Sequence, residues 1–445
     1  MKLGRWKWFA GVLLVACLGH SPSPLVAQEI SPALLRRASP APLDPVFPST
    51  EYIGPTIGVP DTSPLYPLTK LFWDNFPNLK RDKIKVYGWL NPGFSLSTSR
   101  NSNVPLCYAV VPNKPELDQS VLRIERVLDT VQTDHVDWGF RFSNVYGIDY
   151  RYTTAQGWFS NQLLKFNQLN GYDIPEAYIE TYFPKIAQGM ILTIGRYISP
   201  PDIEAQLAPD NYLFTHSLMF TFDTYTDTGV KAVLKLSDRW TVLFGIHAGS
   251  DMAPWADSAH FPTFQAMGRW VSRGNNDSVY GGIANLNDGT YKKDHTNLQQ
   301  FNLTWTHRFN PGFFTATEGY YIYQYDALSG GTVNYGPITP FGGGGPGPLL
   351  PGFSQSWGAV NYTEFKLSSR DFLSVRNDWL SDPRGHVSGF ATDYYSLTVG
   401  LTHQCNELLS IRPEIRYETS SRTTPYDMGT RSTQTSFGLD LIQRF

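Results

Sequence analysis

From Ile84 to Phe445 apolar and polar side chains alternate with a period of two. Phe301, Leu303, Trp305 and Phe309 alternate with Asn302, Thr304, Thr306 and Arg308. Trp138, Phe140, Phe142, Tyr146 and Ile148 alternate with Asp137, Arg141, Ser143 and Asp149, and Leu409, Ile411, Ile415 and Tyr417 with Arg412, Glu414, Arg416 and Glu418. The last segment ends at Phe445, with Phe437, Leu439 and Leu441 in one phase and Ser436, Gly438, Asp440 and Arg444 in the other. Successive strand side chains point to opposite faces, so each segment has one apolar and one mostly polar face. Repetition of this pattern over segments of about ten residues is the mark of a transmembrane β-barrel. A soluble β-sandwich also alternates, but it would pack these aromatics between two sheets.

Beyond residue 27 no run of eighteen apolar residues occurs, which excludes helical membrane spans. Mean hydropathy is −0.28, a polar value that a barrel tolerates because half of each strand faces water or the lumen. Charged residues make up 17% of the chain and aromatics 14%, against about 25% charged in soluble domains. A net charge of −3 gives no footprint for a nucleic-acid partner.

Residues 1–27 read as a secretory signal peptide, with Lys2, Arg5 and Lys7, an apolar core from Trp8 to Leu18, and a small-residue site at Leu25-Val26-Ala27. Leu14-Val15-Ala16-Cys17 offers a competing lipoprotein reading with Cys17 acylated. Residues 28–80 carry Pro32, Pro40, Pro42, Pro45 and Pro48 and read as a proline-rich periplasmic tail or linker. Leu71-Phe72-Trp73 within it is an apolar knot suited to docking in a barrel mouth.

Residues 81–445 then hold the barrel. Strands are expected at 84–98, 120–130, 135–151, 176–183, 190–197, 229–236, 240–249, 265–273, 278–287, 297–309, 312–325, 355–368, 371–381, 392–403, 408–419 and 433–445. The connections between them alternate long and short. Bacterial barrels have an even strand number, long outer loops and short periplasmic turns. The expected fold is therefore a single all-β, antiparallel, up-and-down transmembrane barrel of about sixteen strands, with both termini periplasmic. Leu213 to Tyr225 is rich in strand formers, but an extra strand there would make the number odd, so 198–228 is read as one long outer loop. Cys107 then falls in an outer loop and Cys405 in a periplasmic turn, on opposite sides of an apolar band of about 25 Å, too far apart to bridge. Tyr321, Tyr323, Tyr325 and Trp379 are expected at the outer interface, where amphipathic rings prefer the headgroup level.

Tyr87-Gly88-Trp89-Leu90, Tyr178-Ile179-Glu180-Thr181-Tyr182-Phe183, Ile194-Gly195-Arg196-Tyr197-Ile198-Ser199-Pro200 and Thr228-Gly229-Val230 follow one another in an order that resembles the putative beta-barrel porin-2 family of outer-membrane proteins. The resemblance spans most of residues 84–445 and implies a single porin-like barrel. Gln443 departs from the usual terminal pattern at a position expected to be apolar, while Leu441 and Phe445 keep it. Recognition of the last strand by the barrel-assembly machinery is expected.

An Arg side chain facing lipid costs about 2–4 kcal/mol at the bilayer midplane, so the charged phase should point inward. Arg123, Glu125, Arg308, Arg376, Asp378, Arg412, Glu414, Arg416 and Glu418 form the expected lumen wall, together with Asp149, Lys231 and Lys235. Any single pair, such as Arg412 with Glu414, reads first as an ion pair that stiffens the wall. The loop 198–228 carries Asp202, Glu204, Asp210, Asp223 and Asp227 without Lys or Arg apart from its bordering strands. Folded inward, it would set these acids against Arg141, Arg151 and Arg196 across a constriction. Catalysis finds little support: His216-Ser217 and His247 have no Gly-x-Ser-x-Gly elbow, and Phe341-Gly342-Gly343-Gly344-Gly345-Pro346 lacks the Lys-Ser/Thr of a phosphate loop. No cofactor or metal site is expected. The expected function is passive diffusion of small hydrophilic solutes across the bacterial outer membrane, with its lipids as the surrounding partner and homo-oligomer formation left open. The alternative is a closed or plugged barrel serving as adhesin, receptor or anchor.

Overall fold

In a computed structural model the described residues are 57–61, 63–158, 169–200, 203–256, 262–287, 298–330 and 347–445. The signal peptide with Cys17, residues 28–56 of the linker, Asp202 and the Phe341–Pro346 stretch lie outside them.

Sixteen strands close into one barrel. They are β1 (Lys85–Ser97), β2 (Pro115–Arg126), β3 (Asp137–Gly147), β4 (Gly171–Phe183), β5 (Met190–Ile198), β6 (Thr226–Lys235), β7 (Trp240–Ser250) and β8 (Thr263–Val271). The others are β9 (Asp277–Leu286), β10 (Gln299–Asn310), β11 (Phe313–Leu328), β12 (Leu349–Lys366), β13 (Asp371–Asp382), β14 (Thr392–Gln404), β15 (Leu409–Ser420) and β16 (Thr433–Arg444). Each pairs with its sequence neighbours, and β1 closes antiparallel on β16. No helix among the described residues is long and apolar enough to cross a membrane.

Every expected segment is a strand, but β2, β4 and β12 begin about five residues earlier than expected. Each added end contains a proline: Pro115, Pro175 or Pro351. Pro115 is the first residue of its strand, and the other two fall at breaks in register, opposite Ser143/Val145 and opposite Tyr325/Ala327. Strand ends and bulges are where a residue without an N–H is tolerated. Leu213–Tyr225 is no strand; it holds a single helical turn, Leu218–Thr221, capped by the Ser217 hydroxyl.

The faces separate as the alternation requires. On β10 Leu303 is 59% exposed and its neighbour Asn302 4%; on β15 Ile415 is 54% exposed and Arg416 1%. Tyr321, Tyr323 and Tyr325 point outward, stacked among Phe301, Phe353 and Trp357 on the barrel surface, and no second sheet covers them. Trp379 takes the same outward phase, opposite Tyr395. Cys107 and Cys405 are both free and buried.

The stretch before β1 is more than an extended linker. It contains α1 (Pro67–Asn75) and α2 (Pro77–Arg81), each opened by a proline at its first position, where the missing N–H costs nothing. Ile57 packs among Tyr182, Ile191 and Val233 at the short-turn end of β4–β6.

Candidate functional site: the lumen and its third long loop

The loop leaving β5 crosses the barrel. From Ile203 to Leu218 its backbone is held by side chains on strands far from β5 and β6. The Ile203 N–H donates to Glu318 Oε2 on β11 at 2.8 Å, and the Leu218 N–H to Asp378 Oδ2 on β13 at 2.8 Å. On β15, Glu414 accepts the Phe214 and Thr215 N–H groups at 3.0 and 3.1 Å and also the Thr215 hydroxyl. The Arg412 guanidinium donates to the Ala208 and Asn211 carbonyls at 2.9 Å, and Arg416 to the His216 carbonyl. Loop groups left over from the internal bonds that Asn211, Glu204 and Ser217 make are thereby satisfied by the wall. Buried backbone groups need such partners.

Packing reinforces these bonds. Leu213 seats against Gly400, and Phe214 against Gly93 and Gly438, where a Cβ on the glycine would collide with the loop side chain. The first long connection lies over the third: the Tyr108 hydroxyl donates to the Gln206 carbonyl, and the His216 N–H donates to the Cys107 carbonyl at 3.5 Å. Leu106, Tyr108, Val110, Leu213, Phe214 and Leu218 belong to one buried apolar cluster inside the mouth.

The acids of the loop have distinct fates. Glu204 accepts from Tyr362 at 2.6 Å and Ser217 N–H at 2.8 Å and pairs with Arg376 at 3.3 Å. Asp223 accepts from Gln300, and Asp227, on β6 itself, pairs with His247 at 3.2 Å and accepts from Gln265. Asp210 closes a tight turn (Ala208–Asp210) and faces the charges of Arg123, Arg444 and Arg141. Burial pushes its carboxyl up to about 6 against the opposing pull of those three guanidinium groups.

Of the three arginines expected opposite the loop, Arg141 binds wall acids, Glu125 at 2.9 Å and Glu176 at 3.1 Å. Arg196 is fully buried in a two-pronged bond to Asp173 at 2.9 and 3.0 Å, with Trp158 beneath its guanidinium. Arg151 is buried in a helical turn, Tyr150–Thr153, of the second long connection. Among the described residues Glu204 of the loop meets a fourth arginine, Arg376.

The wall residues are buried in the inward phase. Arg123 binds Glu176 at 2.7 Å, Arg416 binds Glu418 at 2.7 Å, and Arg376 lies 3.5 Å from Asp378. Arg308 takes the inward phase opposite Phe314, at the short-turn end. Arg412 pairs with Asp440, not with Glu414. Asp440 is the residue directly across the ladder from Arg412, and Glu414 is taken by the Phe214 and Thr215 N–H groups of the loop. Inward-facing side chains that keep part of their surface open include Arg141, Tyr178, Glu180 and Lys231 on β3–β6, besides Tyr87 on β1, Arg308 on β10, Thr402 on β14 and Arg444 on β16.

His216 is wedged between Tyr108 and Phe220 with Nε2 3.0 Å from the Ala205 carbonyl, and Ser217 is committed to Glu204 and the helical turn. Neither is arranged as a nucleophile with its base. No group of three or more metal-ligating side chains occurs among the described residues.

A protein-family model described as Putative beta-barrel porin-2, OmpL-like matches residues 83–445. The chain belongs to this family. It is a porin-like β-barrel of the bacterial outer membrane, assigned to transport and not to catalysis. Solved structures agree on the fold. A loop-deletion mutant of OmpT from Vibrio cholerae matches with a TM-score of 0.50 at 10% identity, covering 81% of this chain and 99% of that one. The outer-membrane channel DcaP of Acinetobacter baumannii matches with 0.50 at 9% identity, covering 81% and 97%. OmpF of Salmonella typhi, in complex with daunomycin, matches with 0.50 at 10% identity, covering 81% and 97%. No curated protein sequence matches the chain.

Within this porin-2 barrel the residues that sequence reasoning missed are those that hold the loop: Gln119, Glu318, Tyr362 and the glycines Gly93, Gly400 and Gly438. The signal available was a lumen-phase glycine on three strands, which marks a place where something packs close. Asp173 escapes the sequence reading because the expected β4 starts at 176, past the bulge, and Glu176 because it stands at that first residue, beside the break in register.

Proposed function

We propose that this porin-2 barrel is a channel for passive diffusion of small hydrophilic solutes, narrowed by its third long loop. The observation that carries the reading is the seating of residues 203–218 against β11–β16, which leaves the partly exposed Arg141, Tyr178, Glu180 and Lys231 along β3–β6. On this reading solutes pass that side, between wall arginines and Asp210, and the field across the gap sorts them by charge and size. Glu204 and Asp223 act by tethering the loop and Asp227 by joining β6 to β7 and β8, while Arg151 and Arg196 stiffen the outer rim. Sixteen strands favour an aqueous path, since about eight are filled by side chains alone. Long loops facing outward would put both termini in the periplasm, with the last strand presented to the assembly machinery and lipid around the apolar belt.

A second reading, a plugged barrel acting as receptor or anchor, draws on the apolar cluster that the first and third long loops build in the mouth. Planar-bilayer recording separates the two. The channel reading expects discrete conductance from the intact protein and a larger step with weaker ion selectivity after deletion of residues 203–212. An intact barrel that never conducts favours the plugged reading, and a folded deletion mutant with unchanged conductance removes the loop from the constriction.

A further inference from the structure

Closure of the barrel leaves one strand edge unfinished. β16 ends at Arg444, opposite Trp89, and Phe445 adds a last rung by giving and receiving backbone hydrogen bonds with Gly88 at 3.0 and 3.2 Å. In an antiparallel ladder every second residue turns its N–H and C=O to the same neighbour. The next groups on this edge therefore belong to Val86 and then Ile84, past the last β1–β16 rung. Near a bilayer such groups are costly unless something binds them.

Helix α1 binds three of them, and the Leu79 carbonyl of α2 accepts the fourth, the Ile84 N–H, at 2.8 Å. The Thr69 hydroxyl donates to the Val86 carbonyl at 2.7 Å and accepts the Val86 N–H at 3.2 Å, and Trp73 Nε1 donates to the Ile84 carbonyl at 2.6 Å. Thr69 and Trp73 are four residues apart, on one helix face. That face supplies the hydrogen bonds that an extension of β16 would supply.

The helix lies on the outer rim. Val86 is in the lipid-facing phase of β1 yet only 6% exposed, whereas Leu90 in the same phase is 42% exposed. α1 packs on β1, and Tyr66 turns inward from it to meet Tyr87, ring centroids 5.3 Å apart. At about 100° per residue, Leu68, Leu71 and Phe72 fall on the side away from Tyr66, with Lys70 and Asp74 on the remaining arc, and Phe76 follows as the C-cap. Leu71 is 57% and Phe76 54% exposed, and Phe72 stacks on Phe76 at 5.8 Å. Lys80, Arg81 and Lys83 follow directly.

We propose that α1 is a seam latch seated in the membrane interface: it completes the β1 edge beside Phe445 and lays Leu71, Phe72 and Phe76 against lipid at the short-turn end. An amphipathic helix at a bilayer buries its apolar face about 5–10 Å into the headgroup and acyl boundary, and basic neighbours meet lipid phosphates. The latch stands whether or not the lumen conducts.

Two measurements on the whole protein in phosphatidylcholine vesicles test it. In a Cys107→Ser, Cys405→Ser background, a fluorophore at Leu71→Cys should be quenched by brominated acyl chains at least twofold more than one at Asp74→Cys; equal quenching overturns the membrane seating. Amide exchange at Val86 should rise at least tenfold in Thr69→Val and stay slow in Thr69→Ser, with detergent-resistant folding as the check on both. Unchanged Val86 protection in a folded Thr69→Val barrel overturns the latch, and if that variant does not fold, exchange in Trp73→Phe at the Ile84–Val86 edge decides in the same way.

Discussion

The two halves of the lumen wall are built from the same residue types and end in different states. On β10–β16 the inward arginines and acids are consumed by the third long loop: Glu318, Asp378 and Glu414 accept its N–H groups, and Arg376, Arg412 and Arg416 bind its acid or carbonyls. On β2–β5 similar side chains satisfy one another, Arg123 and Arg141 with Glu125 and Glu176, and Arg141 keeps part of its surface open. A charged wall is thus a docking surface where a loop brings backbone groups to it and a solvated lining where none arrives. The number of charges does not separate the cases.

Breaking the docked half should have the largest consequence. Replacing Gly400 with Leu fills the seat of Leu213, and overpacking of this kind costs about 1–3 kcal/mol at the contact. The loop should leave the wall and single-channel conductance should rise several-fold; an unchanged step would mean that docking does not set the bore.

Next comes Arg376→Met, which leaves Glu204 buried without its guanidinium. Breaking one side of a buried pair costs about 3–5 kcal/mol, so the unfolding temperature in detergent should fall clearly, and Glu204→Gln in the same chain should restore part of it. Equal stability of the single and double variants would show that the pair is not coupled.

A smaller effect is expected on the open half. Arg141→Gln removes a partly exposed positive charge while Arg123 still serves Glu176, and Glu125 keeps the Tyr87 hydroxyl at 2.6 Å and gains an amide donor in place of the guanidinium. Reversal potentials in a salt gradient should move toward cation preference, with little change in stability. A large loss of stability and no change in selectivity would erase the distinction between the halves.

The smallest expected effect is a titration. Burial raises Asp210 to about 6 while Arg123, Arg444 and Arg141 pull it down, so its negative charge is present above that pH and lost below it. Cation preference should therefore weaken as pH falls through about 6, and Asp210→Asn should remove the step. A step that persists in the variant belongs to another group.

The barrel was legible because its signal is local. Period-two alternation needs only that neighbouring side chains point apart, and it located each strand, the inward phase of Arg376, Asp378, Arg412 and Glu418, and the outward phase of Tyr321, Tyr323 and Tyr325. Strand ends were read less well where a proline hid a bulge, as at Pro175 and Pro351. The acidic character of the 198–228 loop was also plain. Its partners were not: the sequence set Glu204 against Arg141, Arg151 or Arg196, and the structure pairs it with Arg376, far along the chain.

By itself, then, the sequence determined which residues are strands, which face lipid, and that charge must be turned inward, since those follow from alternation and from the cost of charge in hydrocarbon. Only the tertiary structure decided which charge meets which. Barrel closure brings β5 opposite β13–β15, and a loop's partners depend on that distance across the lumen and on which wall positions are glycine. The same closure sets the register of β1 against β16 and the place of Thr69 beside Val86, a contact that no periodicity in either segment encodes.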